Sequence, residues 1–196
     1  MRGAKLYNRE ELLDRAIQLF RRQGFSATST AELVEGFGVN RKSMYAEFGS
    51  KRELSEAELE RYSEQNLTRV LAPIEAKDAD ADTIRTAFED YVSASTGAFS
   101  GLGCLMCNTA VERAALDPGS GRLADAYLKR LADNFRNALG NAQRKGQVAD
   151  AADLDAMTGF FAMSLVGISA LIRTKAAPEQ VQSAARIATA VLRTAV

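Results

Sequence analysis

Helix-start signals stand at Asn8, Ser29, Asn40 and Ser50, and glycines close the stretches they open at Gly24, Gly38 and Gly49. Side-chain oxygens of Asn and Ser accept the free N–H groups of a first helical turn, and glycine takes the left-handed backbone that ends a helix. Residues 8–54 therefore have room for three short helices and the start of a fourth. Ser29 with Glu32 and Ser50 with Glu53 have capping-box spacing, while Tyr7 with Leu12 and Val39 with Met44 are placed to staple helix starts. Between the stops, Leu12, Leu13, Ala16, Ile17 and Phe20, then Leu33, Val34 and Phe37, recur at helical period.

The same reading extends to the C-terminus. Helix four continues to about Leu71 with Pro73 near its end, a connecting segment over about 51–75. Lys77 to Asp82 is polar and marks a domain boundary. Further helices are predicted near 83–99, 103–116, 119–146, 152–175 and 178–194. The clearest breaks are an Asp117-Pro118-Gly119 turn and Pro178 at a first helical position. The expected fold class is all-α with about nine helices: an N-terminal three-helix domain over 1–54 and a C-terminal helical domain over 76–196.

Composition narrows the function classes. The chain has no histidine, which removes Ser-His-Asp and Cys-His nucleophile pairs and imidazole metal sites. Two cysteines do not make a four-Cys zinc site or a disulfide framework, so no metal and no cofactor is expected. The longest apolar stretch, Met157 to Ile172, is short for a bilayer span and contains Gly159, Ser164, Gly167 and Ser169, so a buried helix, no membrane partner and a cytoplasmic location are expected. Net charge is zero, but residues 1–54 hold ten Lys/Arg against seven Asp/Glu, and the remainder holds fifteen against eighteen. A basic end on an acidic body points to a polyanion at that end.

Gly38 and Val39 join two short predicted helices, the sequence mark of a helix-turn-helix. Its second helix would carry Asn40, Arg41, Lys42, Ser43 and Tyr45 into the major groove of double-stranded DNA, where Arg and Lys suit guanine edges and phosphates. Thr30 and Lys51, each just inside a helix start, are natural phosphate anchors. On spacing alone, a solvated basic corner of an ordinary helical protein fits equally well. Two other classes also stay open. A small helical thiol oxidoreductase could use Cys104 and Cys107, although the alkylhydroperoxidase D type needs a histidine where this chain has Val111. A protein-binding helical adaptor would show no salt-dependent affinity for DNA.

Gly24-Phe25-Ser26-Ala27-Thr28-Ser29-Thr30, Gly38-Val39-Asn40-Arg41-Lys42-Ser43-Met44-Tyr45 and Phe48-Gly49-Ser50-Lys51-Arg52-Glu53-Leu54 together resemble the N-terminal pattern of the tetracycline-repressor (TetR) family. The match covers about residues 8–55 without insertion. The resemblance implies a homodimeric regulator, a repressor by family habit, that binds a palindromic operator and is released by an unknown small-molecule effector. It implies base or phosphate contacts for Arg41, Lys42 and Ser43, and backbone-phosphate contacts for Tyr45, Thr30 and Lys51. Phe20, Leu33, Val34, Val39, Met44, Phe48 and Leu54 would form the core that fixes the recognition helix. Phe37 departs from the pattern, since a small residue is more common there. Arg2 and Lys5 are readable as a basic arm or as a plain tail.

In this family the C-terminal domain dimerises and binds the effector. Gly159, Met163, Val166, Gly167 and Ala170 put small and apolar residues on one stripe, and Val181, Ala184, Ile187, Ala188, Val191 and Leu192 form a second. Small residues admit a partner helix, giving a two-fold four-helix interface, although each stripe also suits an intrachain core. Phe88, Tyr91, Val92, Phe99, Met106, Val111, Tyr127, Leu131 and Phe135 are candidate pocket lining, or simply core. Gly103-Cys104-Leu105-Met106-Cys107-Asn108-Thr109-Ala110-Val111-Glu112 resembles the Gly-Cys-Leu-x-x-Asn-x-x-x-Glu start of helix six in a TetR subgroup, some of whose members sense electrophiles or oxidants through cysteine. A thiol at a helix N-terminus is favoured as thiolate, which makes Cys104 the expected reactive group and Cys107 a resolving partner. The competing reading is two small buried apolar residues.

Overall fold

The computed structural model describes residues 7–69, 71–97 and 100–194. Ten α-helices and no strand occupy them: α1 (Arg9–Gln23), α2 (Thr30–Phe37), α3 (Arg41–Phe48), α4 (Lys51–Arg69), α5 (Ala72–Glu75), α6 (Ala81–Ser95), α7 (Leu105–Glu112), α8 (Pro118–Arg144), α9 (Leu154–Arg173) and α10 (Pro178–Thr194). The N-terminal caps form as the sequence requires. Asn8 Oδ1 accepts from Glu10 N, the Ser29–Glu32 capping box closes, and Asn40 Oδ1 accepts from Ser43 N. Gly38 ends α2 with φ +66°, a left-handed turn that glycine adopts without a Cβ clash.

Three expectations need correction. Helix four does not run to Leu71; α4 stops at Arg69 and a separate one-turn α5 follows. Pro73 has no N–H to continue a helix and instead sits in the first turn of α5, where that N–H is not needed. The polar segment 77–82 is shortened by Asp80, whose side chain accepts from Asp82 N and Thr83 N and starts α6 at Ala81. Asp117-Pro118-Gly119 is a helix start rather than a turn: Asp117 caps, and Pro118 fills a first position where its missing N–H costs nothing.

The small N-terminal helices rest on α4. Arg61 of α4 donates Nε and Nη2 to the two carboxylate oxygens of Asp14 on α1, at 2.7 and 2.9 Å. The α8–α9 and α6–α10 pairs form the thickest packing of the C-terminal body, and α7 packs against α1, α4, α8 and α9. α9 is long and apolar enough to cross a membrane by composition, but its Met157, Phe161, Leu165, Ile168 and Ile172 face is buried in the protein.

Candidate nucleic-acid interface

α3 projects from the N-terminal end of the molecule on the Asn40 cap. Arg41 and Lys42 are exposed, Ser43 is half-buried, and Met44 and Phe48 point into the core. The Arg41 guanidinium lies 5.5 Å from the centre of the Tyr45 ring. Tyr45 Oη and Thr30 Oγ1 are 3.4 Å apart, so α2 and α3 present both hydroxyls at one corner. The Thr30 hydroxyl, then Arg41, hold the Tyr45 phenol below its ordinary pKa. Asn40 is engaged as a cap. Arg41, Tyr45 and Thr30 are therefore brought to one corner, with Lys42 and Ser43 beside them in the first turn of α3, and the core proposed to hold α3 is present around Phe20, Leu33, Met44, Phe48 and Leu54. Phe37, unusual on sequence grounds, is buried with its ring centre 6.4 Å from that of Phe48.

Lys51 is placed differently. Its Nζ donates to the Phe25 carbonyl at 2.6 Å and lies 4.1 Å from the centre of the Phe25 ring. Burial, then the neighbouring Arg113 charge, lowers its pKa. One of the three ammonium donors is thus committed to the α1–α2 turn. Arg2 and Lys5 lie outside the described residues.

The candidate effector residues are dispersed. Phe135 stacks on Phe161, Phe88 meets Phe161 edge-on, and the three ring centres, 5.8 to 6.2 Å apart, fill the middle of the body. Phe99 lies outside the described residues. Tyr127 receives a hydrogen bond from Asn66 Nδ2 at 2.7 Å and has its hydroxyl 3.6 Å from Cys104 Sγ. Val111 does not line a buried pocket; it is 86% exposed. With Cys107, Asn108, Glu112, Val166, Ala170, Arg173, Gln23 and Gly24 it edges a cleft of about 350 Å³ between α7, α9 and the end of α1. A larger cleft of about 880 Å³ runs between α6 and α10 past Arg85, Phe88, Glu89 and Arg186.

Both cysteines are free. Cys104 is the N-cap of α7, and its N–H donates to Ser169 Oγ at 2.7 Å. The Cys107 thiol, against the opposing effect of burial, and then the Tyr127 and Tyr62 hydroxyls pull the Cys104 thiol down from its ordinary pKa. The same hydrogen bond, with burial, pushes Cys107 up. Charge thus favours Cys104, but access favours Cys107: Cys104 is 1% exposed, whereas Cys107 is 5% exposed and lines the cleft. Gly103 ahead of them has φ +60°, and a Cβ there would come within 2.9 Å of the Ser169 carbonyl oxygen, so this approach of α7 to α9 requires glycine.

The second stripe divides. Val181, Ala188 and Leu192 of α10 are buried, while Ala184 and Val191 are half-buried and Ile187 is 64% exposed. On α9, Gly159, Gly167 and Ala170 are exposed, Val166 is half-buried and Met163 is 57% exposed. The body thus leaves an apolar strip of small residues on the outer face of α9, with Ala184, Ile187 and Val191 outside the core of α10.

Sequence reasoning missed the groups that join the two parts of the molecule. Arg21 of α1 donates to the Gly103 carbonyl at 2.7 Å and lies 5.4 Å from the centre of the Tyr62 ring. Arg173 of α9 donates to the Arg21 carbonyl and, at 3.3 Å, to that of Gly101. Glu112 accepts from the backbone of Phe25 and Ser26. The available sequence signal was the Glu112-Arg113 pair closing a short apolar segment.

Residues 12–57 match the family model described as bacterial regulatory proteins, tetR family, and residues 81–188 match the tetracyclin repressor-like C-terminal domain. The HTH-type transcriptional repressor ComR of Escherichia coli (strain K12) is 31% identical over 189 residues, covering 92% of this chain and 87% of its own length. The uncharacterized HTH-type transcriptional regulator YezE of Bacillus subtilis (strain 168) is 26% identical over 182 residues, covering 92% and 94%. A cysteine mutant of the TetR family regulator CifR, complexed with 26-base-pair double-strand operator DNA, shares the fold with a TM-score of 0.81 at 23% identity over 94% of this chain and 97% of that chain. The reduced form of Escherichia coli NemR does so with 0.79 at 20% identity over 92% and 94%. The two family models, one on each side of the α4–α5 connection, and the relatives that span nearly the whole chain lead to one conclusion: the chain belongs to the TetR family of bacterial transcriptional regulators.

Proposed function

We propose that this regulator is a cytoplasmic, homodimeric repressor that reads a palindromic operator with α3 and is released by a small-molecule or thiol-reactive effector acting on the C-terminal body. The observation that carries the reading is the corner where Arg41, Tyr45 and Thr30 meet, with exposed Lys42 next to it in the first turn of α3. Arg41 and Lys42 serve base edges and nearby phosphates; Tyr45 and Thr30 serve backbone phosphates. Residues 1–54 form the DNA-binding domain, helix four connects, and residues 76–196 form the regulatory and dimerisation domain. The outer strip of α9 with Ala184, Ile187 and Val191 of α10 is the two-fold interface, which sets the spacing of the two recognition helices against two half-sites.

For the effector, the cleft beside Cys107 is a better supported site than the packed Phe88–Phe135–Phe161 centre, because it has room and reaches the N-terminal domain at Gln23 and Gly24. The Gly103-Cys104-Leu105 segment supports membership of the thiol-bearing subgroup. The experiment is selection of bound fragments from the source genome with the purified protein. A palindromic motif is the expected product, and no enrichment of any sequence would overturn the reading. Repeating the binding after mild oxidant treatment of wild type, Cys104→Ser and Cys107→Ser separates a covalent effector, which loses its effect in one variant, from a non-covalent ligand, which does not.

A further inference from the structure

Phe25 stands immediately after the glycine that ends α1, five residues before Thr30. Every polar group of its backbone is held from outside its own loop. Its N–H donates to Glu112 Oε2 at 3.3 Å, the next N–H, of Ser26, donates to Glu112 Oε1 at 2.9 Å, and its carbonyl accepts from Lys51 Nζ at 2.6 Å. Two cations lie over its ring, Arg113 Cζ at 3.8 Å and Lys51 Nζ at 4.1 Å from the centre. Arg113 is in turn fixed by Asp117 at 3.0 Å and by the Ser120 hydroxyl, both at the start of α8.

Glu112 and Arg113 are the last residue and the C-cap of α7, whose N-cap is Cys104. At roughly 1.5 Å per residue, α7 is a rod of about 12 Å with the cysteines at one end and Phe25 at the other. Glu112 also edges the cleft that contains Cys107, Gln23 and Gly24. Glu112 thus links the cleft to Phe25, which leads through five residues to Thr30 at the Tyr45 corner.

We propose that Phe25 is a latch through which the C-terminal body positions the DNA-binding helices, gripped by Glu112 and Arg113 of α7 and seated on Lys51 of α4. This rests on the reading of the chain as an operator-binding regulator. The latch keeps α2 and α3 in the operator-competent position, and an effector acts by loosening it.

The test compares the full-length wild type with Glu112→Ala, Glu112→Gln and Phe25→Leu. Amide hydrogen exchange over 24–30 is followed together with affinity for the operator obtained by selection. In Glu112→Ala the Phe25 and Ser26 amides should exchange about tenfold faster or more, while amides in the core of α1 stay protected. Operator affinity should fall about fivefold or more with the preferred sequence unchanged. Glu112→Gln keeps one acceptor and should recover part of both effects; Phe25→Leu keeps the backbone bonds and should lose affinity without faster exchange at Ser26. Unchanged exchange at residues 25 and 26 in Glu112→Ala overturns the latch, and so does faster exchange with unchanged affinity. A wild type that selects no DNA overturns the underlying reading instead, while the exchange arm still reports whether the grip on Phe25 exists.

Discussion

Arg41 and Lys51 both begin helices of the N-terminal domain, yet one stays on the surface over Tyr45 and the other is drawn in to the Phe25 carbonyl. That difference sorts the substitutions. Arg41→Ala or Lys42→Ala should change which base pairs are preferred, at about 1–3 kcal/mol for a lost base contact. Tyr45→Phe should weaken all operator variants alike, because phosphate contacts carry no sequence information. Affinities across an operator mutant set decide this, and equal loss on every sequence for Arg41→Ala and Lys42→Ala would show that α3 is not the reading helix. Glu58 gives a second prediction at this scale. It is buried on α4, its Oε1 accepts from Ser55, and its Oε2 has no hydrogen-bond partner among the described residues. Burial raises its pKa from 4.5 to about 8, and the Ser55 bond and Arg113 oppose this only in part. The folded state thus binds the extra proton between those values. The stability Glu58 contributes is complete below pH 4.5 and is lost as pH rises through 8. At about 1.4 kcal/mol per pKa unit, the loss is on the order of a few kcal/mol. Urea unfolding from pH 5 to 9 should show this slope in wild type and a flatter one in Glu58→Gln; parallel slopes would place the titrating group elsewhere.

At the scale of the element, the α9 and α7 helices show how one sequence stripe acquires its use. Among the described residues nothing from outside their own helix turn lies within 4 Å of where a Cβ of Gly159 or Gly167 would stand, so packing against those residues does not call for their small size. The unused space fits a second copy packing helix on helix. Gly167→Arg should leave the protomer folded, with helical circular dichroism unchanged, and shift the sedimentation of a dimer to that of a monomer. A wild type that sediments as a monomer at micromolar concentration removes the interface altogether. In α7 the thiolate at Cys104 was expected to draw on the helix end or on a nearby Lys or Arg. The Cys107 thiol is the first group that lowers Cys104, and the Tyr62, Tyr91 and Tyr127 side chains beside it are themselves buried, so the group with a favourable charge state is closed off from a bulky reagent.

For the whole molecule, the charge asymmetry becomes a binding prediction. A dimer presents two copies of α3 and two Tyr45–Thr30 corners, and each phosphate neutralised releases counterions. With Arg41 and Lys42 of each protomer as the cationic contacts, about four in all, operator affinity should fall about 10²-fold between 50 and 200 mM salt. Anisotropy titrations across that range test it, and a flat profile would favour the protein-binding adaptor. The all-helical class and the starts of α1 to α4 were legible because they depend on local chemistry: a capping oxygen, a glycine stop and a period of 3.6 residues act within one or two turns. Less of the regulatory site was legible, because its parts meet across long separations. The aromatic residues grouped as one pocket went to a packed centre, a tyrosine cage and surface clefts, and Lys51 took an inward partner that no spacing rule indicates. By itself the sequence determined which segments are helices and which helix carries the basic tip, since caps and periodicity are local. Only the tertiary structure decided that Glu112, Arg113 and Lys51 converge on Phe25, since that meeting depends on α7, α4 and the α1–α2 turn packing side by side.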